Sequence, residues 1–416
     1  MLDKTYDPKP VEESLLLLWG KAKLFRSTPR PGGKPFTIVI PPPNVTGALH
    51  VGHALDNALQ DVFIRHKRLQ GQESCWVPGC DHGGIATQNV MEKQLKAEKI
   101  DRHSLGREAF LERMQTWTRD CKKTILGQLR RLGCSLDWER EAFTMDEVRA
   151  KAVYHAFKTL WEKGLIYRGE RLVNWCVRCG TALSDIEVER EERRGALYHI
   201  HYRPADGGEG LVVATTRPET MFGDTAVAVN PKDPRWKHMV GKKVLIPFID
   251  RAIPVIEDSY VEFEFGTGAL KVTPAHDQND WEIGERHGLP ALKAIGPDGK
   301  LTAEAGSYAG LSREKARDQV VADLEAQGFL RKKEDHKSPV AICYRCGSLI
   351  EPLLSLQWFV KQTELAKPAL QALDDGRFKI YPENWAKPYH DWLVNIKDWC
   401  VSRQIWWGHR IPVWYK

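Results

Sequence analysis

Residues 41–55 read P-P-P-N-V-T-G-A-L-H-V-G-H-A-L. A short apolar run, residues 36–40, precedes them, and an amphipathic run, residues 55–69, follows. Strand, glycine-containing turn and helix in that order place a helix N-terminus at the end of a strand. Its unpaired backbone N–H groups and the positive end of the helix dipole suit a phosphate. His50 and His53 are three apart and share a face of the opening turn. Two imidazoles there can donate hydrogen bonds to phosphoryl oxygens. Gly47 and Gly52 let a ligand approach the backbone closely. Taken alone, H-x-G-H also reads as two surface histidines in a glycine-rich turn.

Downstream the pattern continues as α/β. A second apolar run at residues 73–77 completes the start of a βαβ unit. The block P-G-C-D-H-G-G-I-A-T-Q, residues 78–88, sits where that strand hands over to a helix, the place where open α/β sheets bind ligands. Asp81 there can hold an ammonium group; an Asp before Gly-Gly also reads as a helix cap or turn residue. Residues 105–132 and 147–163 predict helices covering the sheet, and residues 165–175 a strand running into Cys176. Upstream, residues 1–34 read as a strap with a helix over residues 10–24.

The 416 residues allow two or three domains, each with its own core. With 28% charged and 42% hydrophobic residues the chain is an ordinary globular one, and no window approaches a membrane span. The net charge of +6 is compatible with an anionic partner such as RNA and decides little by itself. No secretory leader is read in M-L-D-K-T-Y-D, and nine cysteines cannot all pair internally. A reducing, cytoplasmic setting is the expectation.

Cys176-x-x-Cys179-Gly180 recurs far downstream as Cys343-x-x-Cys346-Gly347. Each knuckle aims two thiolates at one point, and two knuckles make a tetrahedral site suited to Zn²⁺. The long interval is intelligible if a whole domain is inserted between two strands and the metal clasps its base. Two independent free-thiol turns are the other reading. Cys75, Cys80, Cys121, Cys134 and Cys400 read as small buried hydrophobes. Between the knuckles, residues 190–335 change to short β-branched runs with frequent Gly and Pro, at 211–216, 225–229, 243–249, 252–256 and 269–273. That texture predicts a small β-rich barrel or sandwich with one helix near 312–327. Residues 353–416 are rich in tryptophan, which core packing and partner surfaces both use.

Inside the insert, Thr215, Thr216, Arg217 and Thr220 supply hydroxyls and a bidentate cation. Lys271, Thr273, His276, Asp277 and Asp280 supply donors and carboxylates. Each cluster has a plain reading: a β-branched strand ending in a turn, and a strand ending in a helix capped by Asp277.

The string at 41–55 resembles the ATP-binding segment of class I aminoacyl-tRNA synthetases, in the form carried by the valyl branch. The resemblance continues through residues 78–88, T-T-R-P-E-T at 215–220, K-V-T-P-A-H-D-Q-N-D at 271–280 and S-R-Q-I-W-W-G-H-R-I-P-V-W-Y at 402–415. It implies an α/β, Rossmann-like nucleotide-binding domain, first half plus returning segment, with an inserted β-rich editing domain. The implied layout is strap 1–34, catalytic part with the first knuckle 35–189, insert 190–335, and second knuckle with return 336–416. It implies ATP, valine and tRNA(Val) as substrates and partners, Mg²⁺ with the ATP but no evident protein ligand for it, and a monomer. His50 and His53 are then the catalytic pair, with Gly47 and Gly52 beside the ATP. Pro41, Pro42 and Asn44 shape the amino-acid pocket, and Asp81 takes the α-amino group. In the insert, Asp277 anchors the amino group of a wrong amino acid. Thr215, Thr216, Arg217, Thr220, Lys271, Thr273 and Asp280 recognise its hydroxyl and the terminal adenosine and position water.

The family's K-M-S-K-S loop and helical anticodon-binding region are not among these residues. The expectation is therefore a partial sequence that does not charge tRNA at a useful rate. Two competing readings are a free-standing aminoacyl-tRNA deacylase and a zinc-dependent RNA-binding module. The first leaves the H-V-G-H stretch without a task, and the second leaves both polar clusters unexplained.

Overall fold

A computed structural model describes residues 5, 7–262 and 264–416. They divide into two compact units, Met1–Thr159 with Ile405–Lys416, and Leu160–Gln404.

In the first unit α1 (Pro8–Lys21) is followed by β1 (Pro35–Val39), α2 (Val51–Leu69) and β2 (Glu73–Val77). β1 and β2 are parallel, paired from Pro35 with Glu73 to Val39 with Val77. Parallel strands need a crossover, and α2 provides it. β3 (Gly79–Cys80) pairs in parallel with β4 (Ala142–Phe143), after α3 (Gly84–Ala97), α4 (Arg102–Leu105) and α5 (Arg107–Arg131). On α5 the buried positions Phe110, Met114, Cys121, Ile125 and Leu129 recur at helical spacing and form its core stripe. Ile125 and Leu129 pack with Ile40, Ile64 and Trp76, so the helix covers the strands as its periodicity predicts. α1 begins and ends slightly earlier than expected, and Lys23 beyond it has φ +51°, where helix cannot continue. α6 (Glu147–Glu162) lies where it was expected.

The second unit holds two sheets. One has the order β15-β14-β5-β6, formed by β5 (Ile166–Cys176), β6 (Thr181–Leu183), and further along β14 (Ile350–Val360) and β15 (Trp399–Cys400). The other has the order β12-β9-β11-β10-β7-β13, with β8 also paired to β7. Its strands are β7 (Val188–Pro204), β8 (Leu211–Thr215), β9 (Ala226–Val229), β10 (Lys243–Leu245), β11 (Ala252–Glu257), β12 (Ala269–Val272) and β13 (Leu330–Cys343). Between them come α7 (Gln278–His287) and α8 (Arg313–Ala326), and after β14 come α9 (Gln362–Asp374) and α10 (Ala386–Val394). Tyr202, Leu211, Val213, Phe222, Val244 and Ile253 are buried in one core of the larger sheet.

Two features depart from the expectation. α7 is a second helix in the insert; only Asp280, Ile283 and Gly284 of it are buried, so it carries almost no apolar stripe. β7 and β13 are long rather than short. They run antiparallel from Cys343 opposite Val188 to Leu330 opposite Ile200, and most of the charged stretch 189–195 is exposed. A ribbon wetted on both faces has no alternating apolar signal.

Candidate functional site

His50 is the N-cap of α2, with extended backbone, and the first turn contains no acidic residue. Its Nδ1 accepts the Gly52 N–H at 3.1 Å, and His53 Nδ1 accepts the His50 N–H at 3.3 Å. The two imidazoles thus form a reciprocal capping box, with ring centroids 3.9 Å apart. An Nδ1 that accepts carries no proton, so in each neutral ring the proton is on Nε2. The cap leaves two Nε2–H donors at the positive end of a helix dipole, His50 exposed and His53 half-buried. A Cβ on Gly52 would stand 3.0 Å from Cε1 of His50, so glycine permits the histidine to fold over the turn.

Helix α5 pins this turn from behind. Trp117 Nε1 donates to Val45 O at 2.8 Å, the Cys121 thiol to Gly47 O at 3.4 Å, and Leu49 N–H to Gln128 Oε1 at 2.8 Å. None of the three carried a signal beyond helical periodicity. Cys121, read as a small hydrophobe, also touches the loop.

Asn44 and Asp81 form an isolated parallel bridge. Val45 N–H donates to Asp81 O at 3.0 Å, and Asp81 N–H to Pro43 O at 2.9 Å. The proline run and the second strand end are thereby brought together, with Pro43 buried and Pro41 and Pro42 exposed. Asp81 is half-buried. Burial raises its affinity for a proton, but hydrogen bonds from His82 and Thr144 outweigh that, and its pKa lies below the ordinary carboxylate value. An ionised carboxylate at the C-terminal edge of the strands suits an ammonium group. The C-terminal segment packs on the 78–88 block: Trp406 and Trp407 donate backbone N–H groups to Gln88 Oε1 at 2.9 and 3.2 Å, and Trp407 Nε1 donates to His82 O at 2.8 Å.

In the second unit, Lys271 Nζ donates to Thr220 Oγ1 at 3.0 Å and to Asp224 Oδ1 at 3.1 Å, and it also bonds the Thr273 hydroxyl. Thr273 Oγ1 donates to Asp224 Oδ1 at 2.6 Å, and Tyr202 OH to Asp224 Oδ2 at 2.6 Å. Asp224 and Tyr202 were not read from the sequence. Asp224 stands four residues past Thr220, an acid among apolar neighbours, and that oddity was the available signal. Asp280 Oδ2 accepts the Thr273 N–H at 2.8 Å. Burial and the nearby charge of Asp277 push the Asp280 carboxyl up to about 7. Asp277 is exposed and caps α7 through Oδ1, which accepts the N–H groups of Asn279 and Asp280 at 2.8 and 3.2 Å. Thr215, closing β8, accepts the Arg217 N–H at 3.0 Å, and Thr216 is half-buried. The Arg217 guanidinium is held by Glu351 and Glu219.

The sulfurs of Cys176, Cys179, Cys343 and Cys346 all lie within 4.8 Å of one another, with Cys176 and Cys346 3.5 Å apart. Tetrahedral zinc at about 2.3 Å from each sulfur separates the sulfurs by about 3.8 Å, so the donor set fits that ion. Hydrogen bonds from Cys176 and Cys179 push the Cys343 thiol far down, while contacts with Cys176 and Cys343 push Cys179 far up. A bound cation would favour the thiolate form of its sulfur ligands. The knuckles meet because β5 pairs with β14 from Cys176 opposite Ile350, and β7 with β13 from Val188 opposite Cys343. No helix among the described residues is long and apolar enough to cross a membrane.

The family model for tRNA synthetases class I (I, L, M and V) matches residues 14–416. Valine–tRNA ligase of Geobacter sulfurreducens is 56% identical over 416 residues, covering 100% of this chain and 47% of that protein. Those of Treponema denticola and Symbiobacterium thermophilum are 53% and 54% identical, covering 100% and 99% of this chain and 47% and 45% of theirs. The chain therefore spans about half the length of the curated relatives it matches. A LeuRS-tRNA-LeuAMS ternary complex from Agrobacterium radiobacter K84 aligns at 18% identity over 84% of this chain and 52% of its own, with a TM-score of 0.40, too low to carry an inference. The match runs through the insert and both its flanks, which does not favour a free-standing deacylase.

Proposed function

This chain belongs to the class I tRNA synthetases of the isoleucine, leucine, methionine and valine group, and on that premise we propose that it is the part of a valine–tRNA ligase that binds ATP and valine and carries a hydrolytic second site. The mixed α/β architecture is that of the family. Residues 35–189 are its Rossmann-like first part and 190–335 its inserted editing domain.

In the activation step a carboxylate oxygen of valine attacks the α-phosphorus of ATP and pyrophosphate leaves. Charge grows on the phosphoryl oxygens. The Nε2–H groups of His50 and His53 donate to them, a role that the tautomer set by the capping box supports. Asp81 pairs with the ammonium of valine, and Asn44 and the proline run wall the pocket. Mg²⁺ accompanies the ATP and offsets its charge; no residue is assigned to it. The activated valine then passes to the terminal ribose of tRNA(Val). The four cysteines hold Zn²⁺ as a structural clasp and take part in no step.

Threonine and valine are near-isosteric, and an apolar pocket rejects an added hydroxyl poorly, a limit for which valine–tRNA ligases are the standard illustration. A polar second pocket reverses the preference, because valine leaves its groups unpaired. Lys271, Thr220, Thr273 and Asp280 line such a pocket, and Asp277 binds the amino group of threonine through the oxygen not used for capping.

The observation that supports this reading is the Asn44–Asp81 backbone bridge, which joins the loop leading to α2 to the residue read here as the ammonium-binding carboxylate. Calorimetric titration of the chain with valine, isoleucine and threonine tests it. Valine binding first, and weakened by Asp81→Asn, is the expected result. Equal binding of isoleucine, or indifference to the substitution, overturns it. Hydrolysis of Thr-tRNA(Val) by the chain, abolished by Asp277→Ala, tests the second site separately.

A further inference from the structure

Glu351, the second residue of β14, lies outside both polar stretches of the insert, yet its carboxylate meets a residue from each. It is 0% exposed. Arg217 Nη2 donates to both its oxygens, at 2.7 and 2.8 Å. Arg313 Nη1 donates to Oε2 at 3.0 Å. His276 Nδ1 stands 3.4 Å from Oε1. The other nitrogen of that imidazole, Nε2, accepts the N–H groups of Ala294 and Ile295 at 2.9 and 3.2 Å, so the proton of the neutral ring faces the carboxylate.

The consequence for Arg217 is an orientation. Its Nε is taken by Glu219 at 3.2 Å and its Nη2 by Glu351. Among the described residues its Nη1 edge has only a long contact, 3.5 Å, to the His276 carbonyl oxygen. The side chain remains 28% exposed, so two buried carboxylates hold one side of the guanidinium while the other is left to a ligand. A buried ion pair is poor grounds for a stability role, since desolvation offsets much of the attraction. A planar fork held on one side is instead the arrangement that presents the other side in a fixed direction.

We propose that Glu351 is a positioning residue of the hydrolytic site: it fixes Arg217 with its Nη1 edge toward the substrate and sets His276 beside the same carboxylate, bringing the 215–220 turn and the 271–280 turn to one anchor. This rests on the hydrolytic reading of the insert given above. Glu351 touches no substrate and acts through Arg217 and His276.

The test is steady-state hydrolysis of Thr-tRNA(Val) by the whole chain and its Glu351→Asp, Glu351→Gln, Arg217→Ala and Arg217→Ala/Glu351→Gln variants. Glu351→Asp keeps the charge and shortens the reach by one methylene, so it decides the matter if Glu351→Gln fails to fold. KM for the mischarged tRNA is expected to rise about tenfold in Glu351→Asp with kcat little changed, the signature of lost binding orientation. The double variant is expected to be no worse than Arg217→Ala. A Glu351→Asp variant with unchanged KM and kcat and only a lower melting temperature overturns the inference while the hydrolytic reading stands. A wild-type chain that leaves Thr-tRNA(Val) intact overturns both.

Discussion

The Thr144 hydroxyl donates to Asp81 Oδ1 at 2.8 Å. With its one proton spent there, Thr144 Oγ1 accepts from His82, through the backbone N–H at 2.8 Å and Nδ1 at 2.6 Å. His82 to Thr144 to Asp81 is therefore a directed chain ending on a carboxylate oxygen, and the residue that closes it comes from beyond β4.

Removing that donor weakens whatever cation Asp81 holds. Thr144→Val is expected to lower valine affinity about ten- to a hundredfold, the worth of one hydrogen bond to a charged group, with Thr144→Ser near wild type. Because the Asp81 pKa lies below the ordinary range, its contribution to stability is present above the unfolded carboxylate pKa and lost only as pH falls through the lowered folded one. Valine affinity measured calorimetrically between about pH 6 and 8 should show no Asp81 titration.

The N-cap of His50 and its proposed donor role can be separated. His50→Ala removes the N-cap of α2 and is expected to cost about 1 kcal/mol in thermal melting. Asparagine is a good N-cap without an Nε2–H, so His50→Asn should restore the melting temperature while ATP affinity stays low. Recovery of ATP affinity in His50→Asn contradicts the donor role.

Metal analysis of reduced protein is expected to return one zinc per chain, and Cys179→Ser or Cys343→Ser to lose it. A ligand present at a hundred times its dissociation constant stabilises by about 2.7 kcal/mol, so chelation should lower the melting temperature visibly. A metal-free, fully reduced preparation with an unchanged melting curve rules out the shared clasp.

Gln128 satisfies both backbone groups of Leu49, accepting its N–H at 2.8 Å and donating to its oxygen at 3.4 Å. Gln128→Ala leaves a part-buried pair without that partner, at a cost of about 1–3 kcal/mol by urea denaturation. The turn before His50 loosens with it, so ATP affinity should fall although Gln128 touches no ligand.

Asp280 gives the opposite pH signature to Asp81. Its folded pKa, raised by burial to about 7, exceeds the unfolded one, so the folded state binds the extra proton between the two values. Stability therefore declines as pH rises from about 4 to about 7 and levels off above. Asp280→Asn should flatten that part of a denaturation-versus-pH curve. A slope that survives the substitution assigns the titration elsewhere.

Local order spoke plainly in the chain. Strand, glycine turn and helix around His50 follow from apolar periodicity and glycine placement, which act within a few residues. The paired Cys-x-x-Cys-Gly knuckles were legible for the same reason, since each aims two sulfurs by its own geometry. The long β7–β13 ribbon and α7 were not, because chains exposed on most sides carry no apolar pattern to read. Glu351 was invisible, and Asp224 showed only as an acid among apolar neighbours: a carboxylate is ordinary in sequence and becomes informative when folding buries it against Lys271 or Arg217.

The chain by itself thus determined which residues have the chemistry suited to phosphate, ammonium and metal, since those capacities reside in side-chain chemistry and short spacing. Only the tertiary structure decided how they are aimed: which histidine nitrogen keeps its proton, which edge of Arg217 stays free, and which four sulfurs meet. Aim depends on hydrogen bonds between residues far apart in sequence, and those partners are chosen by the packing of strands and helices rather than by neighbours along the chain.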